Sequence, residues 1–191
     1  MNRPLALTLT ARMGIRQHGL QDALLILGGS LLVAGLAQIR IPLPFTPVPI
    51  TGQTLGVFLV GATLGSHRAA LSLGLYLLEG VVGLPVFAGG ASGLVHLLGP
   101  TGGYLLGFVV AAYAVGWLAE RGWDRSTVSV IMMFTLGELI ILGLGSLVLA
   151  RFIGLEHAWL GGVMPFLPGD ALKAFLSALL LPTARKAIDS Y

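Results

Sequence analysis

The stretch VSVIMMFTLGELIILGLGSLVLARF, residues Val128–Phe152, decides the fold class of this chain. Its only ionisable side chains are Glu138 and Arg151. A helix needs about 20 predominantly apolar residues to span the hydrocarbon core of a bilayer. This stretch is long enough to cross with some tilt, so it predicts a transmembrane helix and therefore a membrane protein.

The composition of the whole chain also indicates that its environment is a lipid bilayer. Of its 191 residues, 55% are hydrophobic and 10% are charged, whereas a soluble domain has about 25% charged residues. The net charge is +3, but the lysines and arginines are scattered without the basic stripe of a nucleic-acid interface, which excludes nucleic acid as a partner. The chain has no cysteine, which removes disulfides and thiolate chemistry.

Five further apolar runs predict, with the first, an all-α integral membrane protein of six transmembrane helices in a single domain, residues 1–191. Residues 1–21 are interpreted as a cytoplasmic tail, because they hold arginines but no apolar segment ending in a cleavage site. A tight turn at Ser66-His67-Arg68 should join the second and third helices. The predicted helices are Asp22–Ile39, Gly52–Gly65, Ala69–Leu84, Gly103–Ala119, Val128–Phe152 and Gly169–Ala187.

The positive charges predict the orientation, because cytoplasmic loops carry the excess of lysine and arginine. The loops on the other side contribute only Arg40, while Arg151 and Lys173 lie near outer helix ends. Both termini are therefore expected in the cytoplasm, with the segments RIPLPFTPVPIT and LPVFAGGASGLVHLLGPTGG outside. The side assigned to the cytoplasm holds Arg3, Arg12, Arg16, Arg68, Arg121, Arg125, Arg185 and Lys186.

Asp170 and Lys173, in PFLPGDALKAFL, are ionisable groups at the start of the last apolar run. Their i, i+3 spacing places both on one face of a helix. They could form a ligand site with an acceptor and a donor. Alternatively, Asp170 caps the helix and Lys173 extends to the membrane surface, which needs no ligand.

Other candidate residues have less specific patterns. Glu79 and Glu138 lie in apolar runs and could line a cavity or pair with a cation such as Arg151. The chain has no P-loop lysine, HExxH or GxSxG motif, and its four histidines are dispersed, so no metal or cofactor is expected. The glycine-rich loop could line a pocket or serve turns. Ser30 and Ala34 form a small-xxx-small pattern suited to close packing with another helix.

Three segments together identify a family. They are QIRIPLPFTPVPITGQTLGV (Gln38–Val57), GLPVFAGGASGLVHLLGPTGGYLLGF (Gly83–Phe108) and PFLPGDALKAFLSALL (Pro165–Leu180). In order and spacing they resemble BioY, the biotin-specific substrate-binding (S) component of energy-coupling factor (ECF) transporters. The resemblance implies the ECF S-component fold and a bacterial plasma membrane protein that captures biotin from outside beneath a capping first loop. It also implies partners, namely a transmembrane coupling protein and a pair of ABC-type ATPases.

The resemblance also implies site residues. By it, Asp170 and Lys173 bind the ligand, and Gly89, Gly90, Thr101 and Tyr104 line the pocket. Ser30 and Ala34 become candidates for docking the coupling protein. Family members can carry polar side chains where this chain has Ala88 and Ala91, so polar contacts there are not expected.

Two other functions remain open at this level. One is an S component for another small acid such as lipoate. The other is a membrane-embedded enzyme that uses Glu79, Glu138 or Asp170 as an acid or base, although no nucleophile, base and orienting group can be assembled from the sequence.

Overall fold

The computed structural model describes residues 4–6, 8 and 18–189, so most of the predicted tail, with Arg3, Arg12 and Arg16, lies outside the described residues. The described part is mainly helical, with a short two-stranded ribbon and a 3-10 turn at Trp123–Arg125. The elements are α1 (His18–Ala37), β1 (Arg40–Ile41), β2 (Ile50–Thr51), α2 (Gln53–Leu64), α3 (Ser66–Val81), α4 (Leu94–Leu98), α5 (Gly102–Ala119), α6 (Thr127–Ile153), α7 (Leu155–Gly162) and α8 (Leu167–Asp189).

A helix occupies each of the six predicted segments, but the helices differ in their capacity to cross a bilayer. Within the described residues, α1, α5 and α6 are long and apolar enough to do so, and α7 and α8 meet the same criterion only as a pair, which is bent by 44°. α2 is apolar but has only 12 residues. The number of six crossings therefore stays a prediction. Large apolar side chains exposed along α1, α6 and α8, such as Leu24, Leu139 and Leu180, favour a lipid environment.

The connection between α2 and α3 is shorter than predicted. Gly65 alone separates the two helices, with a φ of +81° that favours glycine. Ser66, His67 and Arg68 are not a turn but the first turn of α3. The carboxylate of Glu120, at the end of α5, accepts hydrogen bonds from the Ser66 backbone N–H at 2.9 Å and from its hydroxyl. A carboxylate at this position satisfies a free N–H and complements the helix dipole.

The start of α8 also differs from the prediction. The helix begins at Leu167, so Pro168 and Gly169 lie within its first turn instead of breaking the chain before it. Proline is tolerated there because the first N–H groups of a helix have no intrahelical acceptor. Asp170 already donates its backbone N–H to the Phe166 carbonyl at 2.9 Å. It is therefore inside the helix and does not act as its N-cap.

Charged pairs gather at one end of the bundle. Arg68 pairs with Asp22 at 2.7 Å, and Arg185 of α8 pairs with Asp124 at 3.4 Å. The Ser66–Glu120 contact lies at the same end, which is the end that the charge pattern assigns to the cytoplasm. These contacts connect α1 with α3, α3 with α5, and α8 with the 3-10 turn, so they hold the helix ends in register.

Close backbone approach fixes the packing of α5 on the α2–α3 turn. A Cβ at Gly116 would lie 2.5 Å from the Gly65 carbonyl carbon and from the Ser66 nitrogen, both of which are backbone atoms. Below this contact, Phe58, Val115 and Phe134 pack in a buried cluster that joins α2, α5 and α6. Only glycine allows the helices to come this close.

We predict that Gly116→Ala lowers the melting temperature of the detergent-solubilised protein, because the new methyl group must displace backbone. Gly74→Ala on α3 is the matched control, since a Cβ there meets no atom within 4 Å. In that open helical position alanine should raise stability by up to about 1 kcal/mol. Equal melting temperatures for Gly116→Ala and the wild type would contradict the close contact.

Candidate functional site

A cavity of about 270 Å³ lies at the other end of the bundle from the charged pairs. It is formed by the first turns of α2, α5 and α8, by the middle of α6 and by two loops. The loops lie between β1 and β2 and between α3 and α5. The volume is close to the lower limit of about 300 Å³ for ligand pockets, so the cavity suits a small ligand.

The loop between β1 and β2 covers the pocket. The strands pair antiparallel, with Arg40 opposite Thr51 and Ile41 opposite Ile50. Proline fixes φ and so restricts the loop. The loop also contacts α7, because a Cβ at Gly161 would lie 3.1 Å from the Cβ of Thr46. The loop residues that line the pocket are Pro42, Leu43, Thr46, Pro47, Val48 and Pro49.

The walls of the pocket are mainly apolar and aromatic. The rings of Tyr104 and Phe166 lie 6.3 Å apart, and Phe87 packs edge-on against Tyr76 at 5.5 Å. Such surfaces hold an apolar ligand body through the area that they remove from water. The apolar lining of the walls consists of Phe87, Ala88, Ala91, Tyr104, Leu105, Phe108, Ile141, Leu142 and Phe166.

A polar cluster interrupts this apolar lining. Lys173 Nζ donates to Asp170 Oδ1 at 3.0 Å and to Thr54 Oγ1 at 2.7 Å. The side chains of Lys173 and Asp170 are only 14% and 8% exposed. Glu138 of α6 lies beside them and interacts electrostatically with both. Lys173 therefore bonds within the chain and does not extend to the membrane surface. Contact of this pair with a ligand stays a prediction.

Two carboxylate oxygens in this cluster have no hydrogen-bond partner among the residues that the structure describes. They are Asp170 Oδ2 and Glu138 Oε2, and both are buried. A buried acceptor without a donor costs about 1–3 kcal/mol, or more when charged. Buried acceptors of this kind in a pocket wall can bind a ligand that supplies N–H or O–H groups.

The other predicted pocket residues divide into two groups. Thr101 and Tyr104 line the cavity, but their hydroxyls already donate within the chain, to the carbonyls of His96 at 3.3 Å and Gly162 at 2.8 Å. Gly89 and Gly90 are not among the lining residues. They form a turn with positive φ beside Phe87, so their contact with a ligand stays a prediction.

Ser30 and Ala34 pack inside the chain and do not form a docking surface. They are 0% and 8% exposed, and the Ser30 hydroxyl donates to the carboxylate of Glu79 on α3. The helix that their small side chains accommodate belongs to this same protein. The prediction that they contact a coupling protein is corrected accordingly.

The suggested pairing of Arg151 with Glu79 or Glu138 is also wrong. Glu79 bonds to Ser30, and Glu138 lies in the polar cluster. Arg151 is exposed near the end of α6, 13 residues beyond Glu138 on the same helix. At 1.5 Å per residue the two are about 20 Å apart.

Several pocket residues were not predicted from the sequence. Gln53 lines the pocket and donates to the buried Tyr76 hydroxyl at 2.7 Å. Arg40 lines the pocket mouth, and a Cβ at Gly89 would lie 2.3 Å from its Cζ, so the guanidinium packs directly against the glycine backbone. The signal for Arg40 was its position as the only cation in the loops assigned to the outside.

Apolar helices and an enclosed pocket with one polar cluster define a membrane protein that binds a small molecule. Comparison with known proteins identifies the family. The profile of the BioY family matches residues 7–190. This chain belongs to the BioY family, and it is a multi-pass membrane protein.

Individual relatives agree with this membership. The biotin transporter BioY of Rhizobium etli is 38% identical over 149 residues, which cover 73% of this chain and 79% of that protein. The biotin transporter BioY of Thermotoga maritima is 39% identical over 158 residues, with 82% and 90% covered. A crystal structure of the S-component for biotin from an ECF-type ABC transporter matches with a TM-score of 0.80 at 26% identity, over 90% of this chain and 94% of that one. The predicted S-component fold is confirmed.

We predict that Tyr104→Phe destabilises the protein by about 1–3 kcal/mol, because the buried Gly162 carbonyl loses its donor. The loss should appear as a lower melting temperature in detergent. Tyr113→Phe, on the same helix at a position 43% exposed, should have little effect. If both variants have the melting temperature of the wild type, the Tyr104–Gly162 hydrogen bond does not stabilise the pocket.

Proposed function

We propose that this protein is the biotin-binding S component of an ECF transporter, which captures biotin at the outer face and delivers it across the membrane with an ATP-driven module. Membership in the BioY family sets it among transporter components and not among enzymes. The observation that carries the proposal is the buried Asp170–Lys173 pair in the wall of a mainly apolar pocket.

The chemistry of biotin matches this arrangement. Its ureido group has N–H donors and a carbonyl acceptor, while its thiolane ring and valerate chain are apolar. Asp170 Oδ2 is a buried acceptor without a partner in the described chain, and Lys173 has a third donor hydrogen beyond its two bonds. The pair can therefore bind the ureido group, and the aromatic walls can hold the rest.

The free-energy cost of burying a charged group determines the orientation of the ligand. Burial of an ionised carboxylate costs far more than burial of a neutral, hydrogen-bonded ureido group. The ureido end therefore enters the buried polar cluster, and the carboxylate stays at the mouth. There Arg40, which is exposed and packs on Gly89, can form a charge-assisted hydrogen bond with it.

The alternative ligand lipoate fits less well. Its dithiolane ring has no N–H donor, so it would leave the Asp170 acceptor unpaired in the pocket. A site with buried polar groups discriminates strongly against an analogue that lacks the matching group. The polar cluster thus favours biotin over lipoate.

The coupling partner requires an exposed surface, and α1 offers one on the face opposite Ser30. Leu24, Gly28, Leu31 and Gly35 follow one helical face at spacings of four and three residues. The two leucines are each 57% exposed, and a Cβ at either glycine meets no atom of this chain within 4 Å. We infer that the transmembrane coupling protein docks there, since small residues let a second helix approach closely.

We predict that Asp170→Ala and Lys173→Ala each weaken biotin binding at least tenfold, or about 1.4 kcal/mol. Each removes one partner of the buried pair and leaves the other charge unpaired. Equilibrium binding of labelled biotin to the purified protein measures the effect, with Asp22→Ala as a control because that carboxylate pairs with Arg68 at the opposite end. Wild-type affinity in both pocket variants would refute the assigned site.

We also predict that Gly28→Trp spares biotin binding but prevents copurification with the coupling protein and its ATPases. The bulky ring occupies the surface where the partner helix should lie. Gly74→Trp on α3 is the matched control, since Gly74 is likewise exposed with open space around its Cα. Intact complexes with Gly28→Trp would show that the partner docks elsewhere.

A further inference from the structure

Glu138 is a buried carboxylate for which the family resemblance gives no role. It sits in the middle of α6, is 7% exposed and lines the ligand pocket. On its other side is a separate cavity of only about 10 Å³, lined largely by apolar groups such as Val57, Phe58 and Phe134. Such a cavity has room for one water molecule at most. Of these two cavities beside Glu138, only the ligand pocket is large enough to hold a ligand.

The surrounding side chains satisfy Glu138 only in part. Thr54 lies close enough to interact with the carboxylate, but Oε2 is buried without a partner in the described chain. Lys173 interacts with Glu138 electrostatically, yet its own hydrogen bonds go to Asp170 and Thr54. A carboxylate at this depth in a membrane protein is expensive, and such groups usually serve a site.

Asp170, on α8, is likewise a carboxylate whose neighbours satisfy it only in part. Its Oδ1 accepts from Lys173, while its Oδ2 is buried and unpartnered within the described residues. The pocket wall therefore holds two buried acceptors without a donor in the described chain, one on α6 and one on α8, with the ammonium group of Lys173 interacting with both carboxylates. A ligand that matches all three groups needs two donors and one acceptor.

We propose that Glu138 is a second ligand-binding carboxylate, and that it accepts one of the two ureido N–H groups of biotin while Asp170 accepts the other. Lys173 then donates to the ureido carbonyl. This inference rests on the proposed function and deepens it by assigning each polar atom of the ureido group to one side chain. It also makes Glu138 a determinant of specificity, because both nitrogens must carry hydrogen.

The test uses Glu138→Leu and Glu138→Gln in the full chain, with biotin and its two analogues methylated on one ureido nitrogen each. Glu138→Leu should weaken biotin binding at least tenfold. Glu138→Gln should lose less affinity for biotin, because a neutral amide keeps an acceptor without charge assistance. In the wild type each methyl group should weaken binding. In Glu138→Leu the penalty should disappear for one nitrogen and persist for the other.

A structural role for Glu138 predicts a different pattern. If the carboxylate served folding, Glu138→Leu would melt at a lower temperature, whereas removal of a partly unpaired buried charge should leave stability unchanged or raise it. Glu79→Gln is the matched control, since Glu79 also lies in an apolar helix but bonds to Ser30 away from the pocket. It should bind biotin and both analogues as the wild type does.

The outcomes separate this inference from the proposed function. Failure of the wild-type protein to bind biotin would overturn both. Biotin binding by the wild type, with wild-type affinity and unchanged methyl penalties in Glu138→Leu, would overturn the role of Glu138 alone. Should Glu138→Leu not fold, the biotin affinity of Glu138→Gln decides, because that variant keeps the side-chain shape: weaker binding at an unchanged melting temperature supports the inference, and wild-type affinity overturns it.

Discussion

The ion pair between Lys173 and Asp170 is the interaction on which the pocket depends. In an apolar bundle a buried charge is tolerated only when it is paired and hydrogen-bonded. The pair lies within one turn of α8, and the bond from Lys173 to Thr54 ties that turn to the start of α2. Two helices that are distant in sequence are thereby fixed around the same polar centre.

Glycines let the aromatic walls take their positions around this centre. A Cβ at Gly145 would lie 2.2 Å from the Tyr104 ring, and one at Gly80 would lie 2.1 Å from the Phe87 ring. Each ring therefore lies directly on a helix backbone, where no larger residue would fit. The hydrogen bond from Tyr104 to Gly162 extends the same wall to the end of α7. Contacts between these rings and the helix backbone thus help to set the shape of the pocket.

The sequence predicted those features that follow from strong local signals. Long apolar runs located the helices, and the spacing of Asp170 and Lys173 placed both on one helical face. The inward face of α1 could not be predicted, because lipid is as apolar as the protein interior and the helix shows no polar stripe. The family resemblance made Ser30 a candidate for docking the coupling protein, although its contact with Glu79 buries it.

The role of Glu138 and the place of Arg40 depend on long-range assembly. Glu138 comes near Lys173 only when α6 packs beside α8, and Arg40 reaches the mouth only because the β1–β2 ribbon folds the loop back over the bundle. No local pattern encodes either contact. Charged residues in apolar segments could nevertheless be named as candidates from the sequence, since their cost in a membrane demands a compensating partner.

The distribution of polar groups also affects how the ligand binds and leaves. Buried oxygens without donors cost free energy, and a ligand that supplies the donors recovers it, so binding is strengthened by the difference. The same gain opposes release, because departure of the ligand exposes the cost again. A protein of this design therefore binds its ligand unaided and releases it slowly.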